Sequence, residues 1–261
     1  MNELHGKRAL VCGSTRGIGR ACAEELAALG ASVTLVARDG AALDRVKSEL
    51  GDRTGRVHGF VTADFRDPEG LRAAVAARLE QIGAAHILVN NTGGPPGGPV
   101  FQAEPEDFLT AFSQHLLCNQ LLVQTLVPGM KASGYGRIIN IVSTSVIAPI
   151  PGLGVSNTIR AAVANWARTL AHELGPHGIT VNNVLPGYTA TARLADLMAR
   201  TAERRGMDPA SVEEEWRAGI PLRRFAEPRE IAAVVGFLAS PGASYLTGVN
   251  LPVDGGRTAV Q

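Results

Sequence analysis

The chain has 261 residues, 45% hydrophobic and 19% charged, and its formal net charge is +1. This composition supports a full apolar core and excludes a disordered or fibrous chain, and the near-neutral balance excludes attraction to nucleic acid or an anionic membrane as a whole. Cys12, Cys22 and Cys118 are too few and too irregularly spaced for a disulfide scaffold or a zinc site, so no metal is expected.

"MNELHGKRALVCG" at the N-terminus carries no basic-then-apolar signal segment. No apolar run reaches the about 18 residues needed to span a bilayer, and the expected setting is cytoplasmic. "RALVCG" (8–13) reads as a first strand, and "IGRACAEELAALG" as an amphipathic helix ending at Gly30. Cys12 and Cys22 fall on these two elements and are expected to be buried thiols. Strand 32–38, helix 41–51, strand 56–64, helix 68–83 opened by Pro68, and strand 86–91 follow. A long helix is predicted over about 105–132, then strand 137–143, helix 152–175, strand 179–187, helix 227–240 and a last strand 248–256.

Short apolar strands alternating with longer helices are βαβ units, which force a parallel sheet covered on both faces. The expectation is a single doubly wound α/β Rossmann-type domain over 1–261, with a seven-stranded parallel sheet flanked by helices. One stretch leaves the alternation. "TARLADLMARTAERRGMDPASVEEEWRAGIPLRR" (191–224) is charged, helical in character and broken at Asp208–Pro209. It follows a strand end, where open α/β sheets bind ligands, and is either a substrate lid or a solvated excursion. "NNTGGPPGGPVF" (90–101), rich in Gly and Pro, is expected to form a stiff loop over the pocket mouth.

The loop "GSTRGIG" joins the first strand to the first helix, and its residues Gly13, Ser14, Thr15, Arg16, Gly17, Ile18 and Gly19 are candidates for holding a pyrophosphate. Gly13 permits the tight turn, Gly17 lets the backbone approach the anion, and Gly19 lets the helix sit close on the sheet. NAD sites place an acid at the end of the second strand, on the ribose 2′-hydroxyl. Here that strand ends in Arg38, and Arg16 lies in the glycine loop. Two guanidinium groups suit a 2′-phosphate, which favours NADP(H) over NAD(H). Asp39, one place late, is the competing feature.

Asp64 after the third strand, "NNTGG" (90–94), "PGYTAT" (186–191) and "YLTGVNLPVDGG" (245–256) complete an ordered set. With the glycine loop they make the chain resemble the short-chain dehydrogenase/reductases, especially the ketoacyl-carrier-protein-reductase-like branch, over essentially its whole length. The resemblance implies that Asp64 and Phe65 hold the adenine and that Asn91 and Gly93 line the adenine ribose, with Thr92 a mild change from the family's Ala. It also implies that Pro186, Gly187, Thr189 and Thr191 cradle the nicotinamide amide and diphosphate.

The family's chemistry rests on an Asn–Ser–Tyr–Lys tetrad. Aligned on "GRIINIVS", Ser143 keeps the Ser place, Ser156 stands at the Tyr, Arg160 at the Lys and His115 at the Asn. A Ser hydroxyl is shorter and less acidic than a phenol, and Arg160 keeps its proton, though its fork can grip ribose hydroxyls or an anion. His115, expected to titrate near neutrality, is a candidate replacement proton donor. Two readings stay open: an NADP(H)-dependent oxidoreductase of a carbonyl or alcohol substrate with altered acid chemistry, or an impaired NADP(H)-binding relative acting as sensor or partner subunit. By resemblance the partners are a small-molecule substrate and a second copy of the chain, in a homodimer or homotetramer, with no nucleic acid and no membrane.

Overall fold

Every strand of the sheet is an apolar run rather than an alternating one, because both faces are covered. In the computed structural model, which describes residues 3–51 and 56–260, seven parallel strands lie in the order β3-β2-β1-β4-β5-β6-β7. They are β1 (Arg8–Cys12), β2 (Ser32–Ala37), β3 (Gly59–Thr62), β4 (Ile87–Asn90), β5 (Gly136–Ile141), β6 (Ile179–Pro186) and β7 (Asn250–Val253). The helices are α1 (Gly17–Ala28), α2 (Gly40–Leu50), α3 (Pro68–Ile82), α4 (Pro105–Phe112), α5 (Cys118–Ser133), α6 (Gly154–Leu174), α7 (Ala192–Arg205), α8 (Pro209–Ala218) and α9 (Pro228–Ala239). This is the doubly wound Rossmann-type architecture the alternation predicts. The extreme ends of the expected 1–261 unit lie outside the described residues.

Successive strand residues point to opposite faces. Ala9 and Val11 join a core with Leu26, Leu43, Ile231 and Val235, from the side of α1, α2 and α9. Leu10 and Cys12 join the other, with Leu71, Leu122, Leu126 and Leu170, from the side of α3, α5 and α6. Each such leucine contributes about 1.5–3 kcal/mol by leaving water. Cys12, Cys22 and Cys118 are all buried free thiols, as expected for the first two.

One polar feature crosses this apolar sheet. Asn90, Asn140, Asn183 and Asn250 stand in register on β4 to β7. Asn90 Nδ2 donates to Asn140 Oδ1 at 2.8 Å, Asn140 Nδ2 to Asn183 Oδ1 at 2.9 Å, and Asn183 Nδ2 to Asn250 Oδ1 at 2.8 Å. The ladder pairs amides whose burial unpaired would cost about 1–3 kcal/mol each, leaves Asn90 Oδ1 without a partner, and ties the strand ends beneath the cleft.

Three predicted elements are corrected. The strand placed at 56–64 is only Gly59–Thr62, and the last strand only Asn250–Val253. The helix placed at 105–132 is interrupted by a π-turn over Ser113–Leu117, centred on His115. The charged stretch 191–224 forms the pair α7 and α8, parted by Gly206 in the left-handed region at φ 60° and capped anew by Asp208.

Candidate active site

The C-terminal ends of β1, β4, β5 and β6 open onto one crevice, at the point where chain order reverses between β1 and β4. At its dinucleotide end, Gly13 and Gly17 lie in the left-handed region, at φ 61° and 56°. A Cβ on Gly13 would stand 2.6 Å from both the side-chain nitrogen and the carbonyl oxygen of Asn91, and one on Gly19 would strike the Gly13 carbonyl. Asn91 Nδ2 donates to the carbonyls of Cys12 (3.2 Å) and Gly13 (3.3 Å), holding the loop from below. Helix α1 then begins at Gly17 with no side-chain cap and no acid in its first turn. Helices α2, α3, α7 and α8 are capped by Asp39, Asp67, Thr191 and Asp208. The N–H groups at the start of α1, with Ile18 between the two helical glycines, are thus left for an anion.

Arg16 and Arg38 are exposed, and no carboxylate pairs with either among the described residues. Asp39, the rival for a ribose, accepts from the Ala42 N–H at 3.0 Å as the cap of α2. Asp64 accepts from the Arg66 N–H and guanidinium, at 2.7–2.9 Å, and that contact holds its carboxyl below the usual range. Phe65 packs its ring partly into the core. Thr15 stays half-exposed on the loop. Ser14 departs from expectation: its fully buried Oγ accepts from the Val36 N–H at 3.0 Å, so the hydroxyl ties the loop to β2 rather than facing the crevice.

At the far end, Pro186 closes β6, and a Cβ on Gly187 would meet Asp254 Cα at 2.7 Å, which fixes the close approach of the two chain segments. Thr189 donates to the Gly187 carbonyl at 3.2 Å, and Thr191 caps α7. Gly93 is exposed with open space around it.

The four candidate catalytic residues each have their own local setting. Ser143 Oγ accepts from the Ser145 N–H at 3.1 Å, which leaves its own O–H free to donate. Ser156 is buried in the first turn of α6, and its hydroxyl has no protein partner among the described residues. Arg160 donates through Nη1 to the Ile141 carbonyl at 2.9 Å. His115 Nδ1 lies 2.6 Å from Thr92 Oγ1, so Thr92 is the partner that fits the histidine rather than a mild change. Burial, with the charges of Arg160 and Arg193, pushes the His115 pKa down to about 2. The expectation that it titrates near neutrality fails for that reason, and the imidazole is neutral. Burial and then Arg193 bring Arg160 down to about 10.

The three tyrosines are engaged or exposed elsewhere. Tyr135 donates its hydroxyl to the Ala239 carbonyl at 2.6 Å, Tyr188 stacks on Trp216 at 4.7 Å beneath Arg257, and Tyr245 is wholly exposed.

Two features were not legible as site features. Arg193 of α7 donates to the carbonyls of Gly94 (3.1 Å) and Pro95 (3.2 Å), strapping the charged helix to the Gly/Pro loop. The loop is also pinned to the start of α6, where the Gly98 N–H donates to Gly152 at 2.7 Å. A cavity of about 320 Å³ lies along that loop between Pro95, Asp107 and Val155, but Ser143, Ser156 and Arg160 do not line it.

Comparison with known proteins agrees with this fold. A family model described as enoyl-(acyl carrier protein) reductase matches residues 13–258. The trans-4-hydroxycyclohexanecarboxylate dehydrogenase of Sinomonas cyclohexanicum is 39% identical, over 97% of this chain and 93% of that protein. The short-chain reductase protein NovJ of Streptomyces niveus is 37% identical, over 95% of this chain and 93% of its own length. The L-sorbose reductase of Gluconobacter frateurii, solved with NADPH and L-sorbose, superposes with a TM-score of 0.91 at 32% identity, over 99% of each chain. The chain belongs to the short-chain dehydrogenase/reductase family, and it is a short-chain oxidoreductase. Among the described residues no helix is long and apolar enough to cross a membrane, and no cluster of metal-ligating side chains occurs.

Proposed function

We propose that the protein is an NADP(H)-dependent reductase or dehydrogenase of a carbonyl/alcohol pair, in which Ser156 and Arg160 stand in for the family's Tyr and Lys. The observation that carries the cofactor half is the uncapped start of α1 over two left-handed glycines, flanked by the unpaired Arg16 and Arg38. Gly13 to Gly19 suit a pyrophosphate, the two guanidinium groups suit a 2′-phosphate, and Asp64, Phe65, Asn91 and Gly93 suit the adenosine. Pro186, Gly187, Thr189 and Thr191 border the place of the nicotinamide. NADPH in the sorbose reductase structure supports the same cofactor here.

A nicotinamide bound there would supply or accept the hydride. The chain's own part is positioning and polarity. Ser143, with its proton free, donates to the substrate oxygen. Arg160, fixed on Ile141, offers its remaining N–H groups to ribose hydroxyls or to the substrate, and stays charged at pH 7. Neutral His115 and Thr92 form a fixed hydrogen-bonded pair that holds the loop after β4. Much of the rate advantage then comes from orientation, which does not need a phenol. Helices α7 and α8 serve as the lid, and the exposed Leu109, Phe112 and Leu117 of the α4–α5 segment provide the face for a homodimer or homotetramer.

Calorimetric titration tests the cofactor. NADPH is expected to bind at least about tenfold tighter than NADH, and Arg38→Asp to abolish that preference. Equal affinities, or none, overturn the reading. NADPH oxidation by a panel of ketones and aldehydes tests turnover, and a flat trace with cofactor bound counts against catalysis.

A further inference from the structure

Among the described residues the ion pairs leave out Arg160, Arg193 and Arg204. They join Arg20 to Glu24 and Glu49, Lys47 to Asp44, Arg66 to Asp64, Arg72 to Glu69, Arg205 to Glu215, Arg217 to Glu213 and Arg224 to Glu230. Around the mouth of the crevice the positive charges go unmatched. Arg160 comes from α6 and Arg193 from α7, and neither pairs with a carboxylate among the described residues. Arg204 Nη1 lies against Gly152, 3.0 Å from where a Cβ there would stand. Asp196 acts on Arg193 but forms no ion pair with it, and Arg200 opposes it.

Both guanidinium groups are held in place by backbone carbonyls, which carry no net charge. Arg160 spends one N–H on Ile141, and Arg193 two on Gly94 and Pro95. Four and three donors remain of the five that each fork carries. The two anchors follow the ends of adjacent strands: Asn140, one residue before Ile141, is paired in register with Asn90, four before Gly94. Gly94 is two residues from Thr92, so their Cα atoms are at most about 8 Å apart, and Thr92 holds His115, whose imidazole feels both arginines. Arg193 in turn disfavours the charge on Arg160. An anion between them relieves this repulsion and meets preorganised forks of the shape that binds an oxyanion in bidentate fashion.

We infer that Arg160 and Arg193 hold an oxyanion of the substrate, a carboxylate or a phosphate, at the mouth of the active site, so that this enzyme selects anionic carbonyl or alcohol substrates. This rests on the reading of the crevice as the active site of an oxidoreductase. It gives the Lys-to-Arg change a purpose: a fork recognises an oxyanion where an ammonium would offer a single point charge.

Calorimetry on the full chain, with and without NADPH, tests it with three probes of one shape: benzoate, phenyl phosphate and the neutral benzamide. An anion that binds at least about tenfold tighter than benzamide supports the site, and the tighter of the two identifies the oxyanion. Arg193→Gln is expected to remove that preference, Arg193→Lys to keep part of it, and Arg168→Gln, exposed on the same helix as Arg160, to leave it intact. Thermal melting of each variant checks that it is folded. Equal affinity for benzamide and both anions overturns the inference, and so does an Arg193→Gln protein that loses NADPH affinity but keeps its anion preference. Absence of NADPH binding bears instead on the cofactor reading, so the two fail separately.

Discussion

The two ends of one crevice have diverged. At the dinucleotide end the backbone does the work: left-handed glycines, an uncapped helix and a loop braced by Asn91 and Ser14. At the substrate end side chains do it, and on the proposed reading Ser156, Arg160 and His115 stand where the family's proton transfer uses other residues. A site made of backbone geometry tolerates almost no substitution, because a Cβ has nowhere to go. A site made of side-chain chemistry can be exchanged residue by residue, provided neighbours adjust. Thr92 beside His115 is such an adjustment.

The largest expected effect breaks the backbone end. Gly13→Ala places a Cβ 2.6 Å from Asn91 in a left-handed residue, and should weaken dinucleotide binding by about 100-fold or more. Titration of a variant whose melting curve shows it folded decides this, and an unchanged affinity would mean the loop does not carry the cofactor. The next effect sharpens the side-chain end. Ser156→Tyr combined with Arg160→Lys restores a phenol and an amine, and should raise kcat for a neutral ketone at least about tenfold. No gain in a folded, NADPH-binding double variant would show that the missing proton donor does not limit this enzyme.

The smallest effect concerns His115. Its folded pKa is depressed to about 2, against 6.5 when unfolded. Below pH 6.5 the unfolded chain takes up a proton that the folded chain refuses, so stability falls as the pH drops from 6.5 towards 2. Between pH 6.5 and 5.5 the loss is about 1 kcal/mol. His115→Asn should lack that increment in urea unfolding, since His86 titrates alike in both proteins. A variant with the same loss would mean that His115 is open to protons in the folded state.

The order of strands and helices was readable from the sequence, because period-2 and period-3.6 patterns are local. So was the glycine loop, whose spacing is local. Three things were not readable. The π-turn at His115 depends on how the helix packs over the loop after β4. Ser14 faces β2 because the turn of Gly13 aims it there. The role of Arg193 depends on two carbonyls about a hundred positions earlier in the chain.

The sequence by itself determined the class of fold and the anion-ready start of α1, since each follows from residue type at a fixed local spacing. Only the tertiary structure decided that His115 is neutral, that the tyrosines are engaged elsewhere and that two arginines share the mouth of the crevice. Those properties come from burial and from charges brought together across the fold, and neither is a function of distance along the chain.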